Sequence, residues 1–316
     1  MKTLILRFAL LLALPAGLLV NASYPGFGEQ RVLANSLAPA APHSLVKQSD
    51  RQTVGRSENT FHPPMAPPDI CETTNTVFQP GEKIVYKLYY NWNFVWLSAG
   101  EVTFSVHELP NNYHIMVRGR TYESYEWFYS VRDNYESYLD KKTLLPKIHI
   151  KDIHEGGYTR YDRTTFDQEG GAAVSVRGRT RESLGDPKNI SLDECMHDLI
   201  SIVYYARNLD YDNMQTGLEI PIKILMDQEV YPLSLKYLGA EAKTKVKGVG
   251  HFKTRKFSPK LIAGDVFKEG DEMKIYVTDD QNKLPVLIES PVSVGSVKAV
   301  LHRYEGLKYP VTAKVE

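Results

Sequence analysis

Gly100-Glu101-Val102-Thr103-Phe104-Ser105-Val106-His107 alternates apolar and polar side chains without interruption. A period of two places Val102, Phe104 and Val106 on one face and Glu101, Thr103, Ser105 and His107 on the other. That is the signature of a half-buried strand rather than of a helix. Pro110-Asn111-Asn112 follows as turn chemistry and leads into a second run, Tyr113 to Thr121. Lys83 to Tyr90 reads as a strand on the other side.

The same texture continues along the chain. Runs at 134–139, 147–153, 158–166 and 172–181 are separated by Glu155-Gly156-Gly157 and Glu169-Gly170-Gly171, where glycine accepts positive φ at no steric cost. After Gly217 strands are expected at 219–225, 230–237, 242–248, 251–262, 272–278, 284–289 and 296–304, with Asp279-Asp280-Gln281-Asn282 as a turn. One segment departs from this pattern. Across 191–210, Leu192, Cys195, Met196, Leu199, Ile200 and Val203 fall at helical spacing, and Ser191 with Glu194 forms a capping-box pattern. The fold class expected is therefore mostly β: a curled antiparallel sheet, sandwich or partly closed barrel of roughly a dozen strands with one inserted α-helix near 191–210. A membrane-spanning barrel is disfavoured. Arg177-Gly178-Arg179-Thr180-Arg181 and Lys243-Thr244-Lys245-Val246-Lys247 carry charge on one face and little apolar bulk on the other.

Three segments are expected. Lys2 and Arg7 precede an apolar run from Phe8 to Val20, about thirteen residues against the roughly twenty needed to span a bilayer. With Val20-Asn21-Ala22 behind it, residues 1–22 read as a signal peptide, so the chain is expected to be exported, to the periplasm or beyond the cell. Residues 23–74 are rich in Pro, Ser and Ala without period, and read as a disordered Pro-rich linker. Residues 75–312 read as a single β-rich domain, long enough to bury a substantial core. No other run is apolar enough to predict a transmembrane span in the mature chain.

The 38 basic and 38 acidic residues cancel, which argues against a phosphate-gripping nucleic-acid partner. The two cysteines, Cys71 and Cys195, form no Cys-x-x-Cys pair and are too few for a structural zinc site. In an oxidising compartment they are expected to bridge, closing a loop of about 124 residues and contributing about 4–5 kcal/mol by the chain-entropy model. Two buried thiols are the alternative.

The pieces Phe78-Gln79-Pro80-Gly81-Glu82, Tyr89-Tyr90-Asn91-Trp92, Ala99-Gly100-Glu101, Asp133-Asn134-Tyr135-Glu136-Ser137, Tyr138-Leu139-Asp140, Thr165-Phe166-Asp167, the run from Asp198 to Arg207, and Leu284-Pro285-Val286 resemble the bacterial envelope family known as domain of unknown function 3108, in its Bacteroidetes-type form. The resemblance covers nearly all of 76–310. It implies a β-rich periplasmic domain and brings no activity or catalytic residue with it.

Two features invite a binding reading. Tyr86, Tyr89, Tyr90, Trp92, Phe94 and Trp96 crowd one segment, and Tyr122, Tyr125, Trp127, Phe128 and Tyr129 another. Such rings fill cores, stack on sugars or line apolar clefts. Core filling is the favoured reading, and Asn91 to Trp96, read as a connection, keeps a ligand role open. Arg118 with Arg120, and Arg177 with Arg179 and Arg181, repeat at period two. With Arg160 and Arg163 they form either a cationic strip for an anionic glycan or head group, or ordinary Arg–carboxylate ladders on a solvated face. Tyr86, Tyr90, Trp92, Trp96, Tyr125, Trp127, Arg118 and Arg120 are the candidate ligand-binding residues.

Catalytic patterns are absent. No Gly-x-Ser-x-Gly occurs, and Gly295-Ser296 lacks its flanks. His197 and Asp198 are neighbours on the expected helix and point apart. His149, expected on the polar strand face with Lys151, and His154 with Glu155 match no metal-binding spacing. No cofactor, metal or catalytic residue is expected. The sequence favours a non-enzymatic binding or carrier module for a lipid-like or glycan ligand. An envelope structural or assembly factor acting through protein contacts is the alternative, and a hydrolase with a dispersed site the third.

Overall fold

The computed structural model describes residues 71, 73–92, 95–127, 129–193, 195–260, 272–291 and 295–315. The expected signal peptide and nearly all of the expected linker lie outside them. The domain is mostly β, in one antiparallel sheet. In chain order the strands are β1 (Lys83–Trp92), β2 (Val95–Glu108), β3 (Asn112–Thr121), β4 (Arg132–Asp140), β5 (Pro146–Glu155), β6 (Tyr158–Asp167), β7 (Ala172–Gly178) and β8 (Lys188–Ser191). After an excursion come β9 (Glu219–Met226), β10 (Glu229–Val246), β11 (Gly250–Pro259), β12 (Lys274–Thr278), β13 (Pro285–Pro291), β14 (Ser296–Glu305) and β15 (Lys314–Val315). Two helices are described: α1 (Glu123–Glu126) and α2 (Ser201–Asn208).

The sheet order is β8-β7-β6-β5-β4-β3-β2-β1-β14-β13-β12-β11-β10-β9, with β15 beside β11. Neighbours along the chain are neighbours in the sheet except between β8 and β9 and between β14 and β15, and β14 pairs back onto β1. The sheet is thus a meander whose two ends join and whose two edges lie where the chain leaves to build α2. Residues 192–198 touch both edges: Leu192 N–H donates to Gly171 O, and His197 bridges to Ile224 of β9. One short segment reaches both, so the sheet curls through most of a turn.

Side-chain alternation decides what the curl encloses. Val102, Phe104 and Val106 are buried as the period requires, and Ile84, Tyr86, Leu88 and Tyr90 face the same core from β1. Close strand approach demands glycine at Gly100, where a Cβ would sit 2.2 Å from Arg120 O. The expected strands at 230–237 and 242–248 are one long strand, β10, bent at two register shifts.

The inserted helix is shorter than its periodicity suggests. Ser191 closes β8, residues 192, 193 and 195–198 form no helix, and α2 begins only at Ser201. Its first turn is capped by Asp198 rather than by the Ser191 pattern: Asp198 Oδ1 accepts from the N–H groups of Ile200 and Ser201, both at 2.7 Å. The segment is buried almost continuously from Met196 to Ile200, apolar and polar residues alike, so its apolar spacing does not mark a helix. Ile202, Tyr204 and Tyr205 of α2 insert into the core, each contributing about 1.5–3 kcal/mol of burial.

Candidate functional site

Two interior regions differ in character. The first is apolar and lies under α2. Buried charge pins the helix at both ends. At its N-terminal end, Asp198 also accepts from Ser137 Oγ and lies 3.5 Å from His149 Nδ1. Burial would raise the pKa of this carboxyl, but His149 and Ser137 outweigh it and hold the group below the usual range. At the other end, Arg207 donates bidentately to Glu82 at 2.6 and 2.9 Å, and also to Asn282 O. Burial works against that charge, and Glu82 outweighs it. Between these pins is a cavity of about 80 Å³, walled by Tyr86, Phe104, Tyr204, Phe257, Ile222 and Leu235 among others. Val203, Ala206, Ile275 and Pro285 line it while half-buried. Tyr86 turns its hydroxyl away to Pro285 O at 2.9 Å, leaving its ring as wall.

The second region is polar. On β5 the inward face is His149, Lys151, Ile153 and Glu155, so the face expected to meet solvent is the buried one. Asp133, Tyr135 and Ser137 of β4 and Asp162 and Thr164 of β6 extend this polar interior. The β9–β10 turn reaches in from the other edge of the sheet. Asp227 Oδ1 lies 3.0 Å from Lys151 Nζ, 2.9 Å from Arg160 Nη2 and 3.3 Å from Arg177 Nη2. Asp162 binds Arg160 and Arg177 as well. Burial opposes ionisation of Asp227, and Lys151 and Arg160 overcome it, so its pKa is lowered. Burial, then the neighbouring Glu155, pushes Asp133 up to about 8, so the two carboxyls share a proton. With that proton, Asp133, Glu155, Asp162 and Asp227 balance Lys151, Arg160 and Arg177.

The sequence candidates are dispersed between these regions and the surface. Tyr86 and Tyr90 are core residues at 4% and 5% exposure. Trp92 ends β1 and Trp96 stands in β2, so Asn91 to Trp96 belongs to a hairpin and not to a free connection; of Trp92 only the backbone is described. Trp96 is half-exposed beneath Lys298 Nζ, 4.7 Å from its ring centre. Tyr125 lies half-buried in α1, and Trp127 just beyond it is 85% exposed. Arg118 and Arg120 point outward from β3, with Arg120 3.7 Å from Glu101. Phe94 and Phe128 lie outside the described residues. Of the arginine set, Arg160 and Arg177 turn to carboxylates, while Arg179 and Arg181 lie beyond β7. His154 meets Asp152, and His149 meets Asp198. Cys71 and Cys195 are bridged, with Cα atoms 5.3 Å apart, and Cys195 sits in the segment between the sheet edges rather than in a helix. The sequence reading did not single out Asp227, Lys151, Asp133 or Glu82; a buried-ion role has no local pattern.

A family model described as protein of unknown function (DUF3108) matches residues 85–302. The chain belongs to that family. The match runs from β1 into β14, so the polar cluster and all of the cavity lining except Ile84 fall within the DUF3108 domain, whereas Cys71 and Glu82 precede it. Among solved structures, a beta-barrel-like protein of domain of unknown function DUF1849 from Brucella abortus is 10% identical, over 74% of this chain and 100% of that one, with a TM-score of 0.49. No curated protein matches this DUF3108 chain.

Proposed function

We propose that this protein is exported to the cell envelope and binds an apolar, lipid-like group between α2 and the sheet without transforming it. The observation that carries the reading is the cavity under α2, walled mainly by rings and branched aliphatics, with the Tyr86 hydroxyl bonded to Pro285 O and Arg207 paired to Glu82. Such a lining favours an acyl chain over a glycan, because burying sugar hydroxyls against it would leave them without partners. The signal-peptide pattern and the cystine suit an oxidising compartment. At about 80 Å³ the closed cavity is smaller than the roughly 150 Å³ that holds one benzene ring. The closed form therefore holds only the tip of such a chain.

Titration with decanoate, followed by the methyl resonances of Ile202, Ile222, Ile275 and Ile288, tests this. Those methyls are expected to shift together, and Ala206→Phe, which fills the cavity, to abolish the response. Unmoved methyls at saturating decanoate would remove the proposal. Native mass spectrometry of protein taken from its own envelope should then identify the natural occupant. One observation favours the assembly-factor reading: Trp127 stands 85% exposed. Under that reading Trp127→Ser abolishes a stoichiometric envelope complex and leaves decanoate binding intact.

A further inference from the structure

The hydrogen-bonded ladder runs from β8 round to β9 and stops there. Across the gap the backbone link to β9 is two hydrogen bonds, His197 N–H to Lys223 O at 3.2 Å and Leu225 N–H to His197 O at 2.8 Å. On the other side Gln168 holds the segment, its amide donating to Met196 O and its Oε1 accepting from Met196 N–H. Phe166, Ala173, Leu192, Met196 and Leu225 pack here as a small apolar cluster separate from the main core. Ion pairs add to this fastening: Asp227, at the tip of the β9–β10 hairpin, sits among Lys151, Arg160 and Arg177 on three successive strands of the opposite side. The tip is held in left-handed backbone, with φ of 51° at Asp227 and 69° at Gln228. Neither residue is glycine, so the two-residue turn is strained by the hairpin itself, whether or not the seam opens.

We propose that this seam is a gate: release of Asp227 from Lys151, Arg160 and Arg177 lets the β9–β10 hairpin peel from its tip and widen the apolar cavity that Ile222 and Leu235 wall. The proposal rests on the binding reading above and supplies what that reading lacks, a route by which a chain longer than the closed cavity enters. The seam to β9 carries only a short backbone link, and local opening starts where a join is weakly fastened. Peeling also uncovers Ile224 and Met226 of the main core, so the open form is rare. The ion cluster sets how rare, because removing Asp227 takes the paired carboxylate from Lys151 and leaves Arg160 and Arg177 to Asp162 alone.

Amide hydrogen exchange on the intact, ligand-free protein tests the gate. The amides of His197 and Leu225 are expected to exchange at least about 100-fold faster than those of β2 and β3, through an opening that leaves the latter closed. Asp227→Asn should speed the seam amides a further tenfold or more with β2 and β3 unchanged. If that variant fails to fold, Gln168→Ala, which loosens the same segment at a half-buried position, should act in the same direction more weakly. Seam amides as protected as β3 in the wild type, or a variant that accelerates all amides equally, would overturn the gate. The two proposals separate cleanly. Fast seam exchange without decanoate binding removes the binding reading and keeps the gate, and binding without seam opening does the reverse.

Discussion

Asp133 and Glu155 illustrate how a single proton can be structural. Their carboxyls meet on the inward face of β4 and β5, and burial together with Glu155 raises Asp133 to about 8. In the unfolded chain Asp133 ionises near its ordinary value of 3.8, so the folded protein binds the extra proton between roughly pH 4 and 8. The resulting stabilisation is complete below that window and is lost as pH rises through about 8. Asp133→Asn, which can still accept the His154 N–H, is expected to flatten the fall in urea midpoint across this range, a fall bounded at about 1.4 kcal/mol per pH unit for one proton. A wild-type midpoint independent of pH between 5 and 8 would refute the shared proton. Tyr135 lies beside the pair with a buried hydroxyl that has no hydrogen-bond partner among the described residues. Tyr135→Phe should be neutral or stabilising by up to about 1 kcal/mol, since it removes an unpaired polar atom at constant shape; a loss above 1 kcal/mol would show that the hydroxyl is satisfied. Glu82→Gln has the opposite sense. It leaves the Arg207 guanidinium buried without its counter-charge and should cost about 3–5 kcal/mol in denaturant unfolding.

At the scale of elements, the strands were legible and their partners less so. The alternation of Val102, Phe104 and Val106 shows directly in the burial of β2. The same rule identified the two faces of β5 and assigned them the wrong way round, because His149 and Lys151 look like a solvent face and are buried against Asp198 and Asp227. Polarity reveals the inside only when the inside is apolar, and around Asp133, Lys151 and Asp162 it is not. The Ser191–Glu194 capping pattern misled for a related reason, since Asp198 competes for the helix start and wins through two backbone donors. The β9–β10 turn offers an element-scale check. Its Asp227-Gln228 pair has both φ angles positive, which in two-residue hairpins is glycine's place at the second position. Gln228→Gly is expected to stabilise the hairpin by about 0.5–1 kcal/mol, read as a higher urea midpoint. No gain would mean that the weak contact of the Gln228 side chain with Ser175 O outweighs the strain.

Over the whole molecule, one covalent link ties the start of the domain to the seam. The Cys71–Cys195 bridge spans 124 residues, and reduction or the double serine variant is expected to lower unfolding free energy by about 4–5 kcal/mol through loop entropy. A shift below 1 kcal/mol would show that the loop-entropy gain is offset by strain in the folded state or by residual structure in the unfolded chain. The aromatic clusters answer differently at this scale. Tyr86 and Tyr90 serve the core, and Trp96 and Trp127 meet solvent, so ring density by itself did not mark one site.

What the residue order alone determines here is local: a pleated chain with period-two faces, glycine turns, one helical interruption and a pair of cysteines. Folding adds what depends on closure. It decides that the sheet breaks between β8 and β9, that a cavity remains under α2, and that Asp227 meets Lys151 and Arg160 across 76 and 67 residues of sequence. The reason is physical. Alternation arises from the geometry of successive peptide units. Which face becomes the interior, and which charges must then find one another, is set by distant strands arriving at the same place.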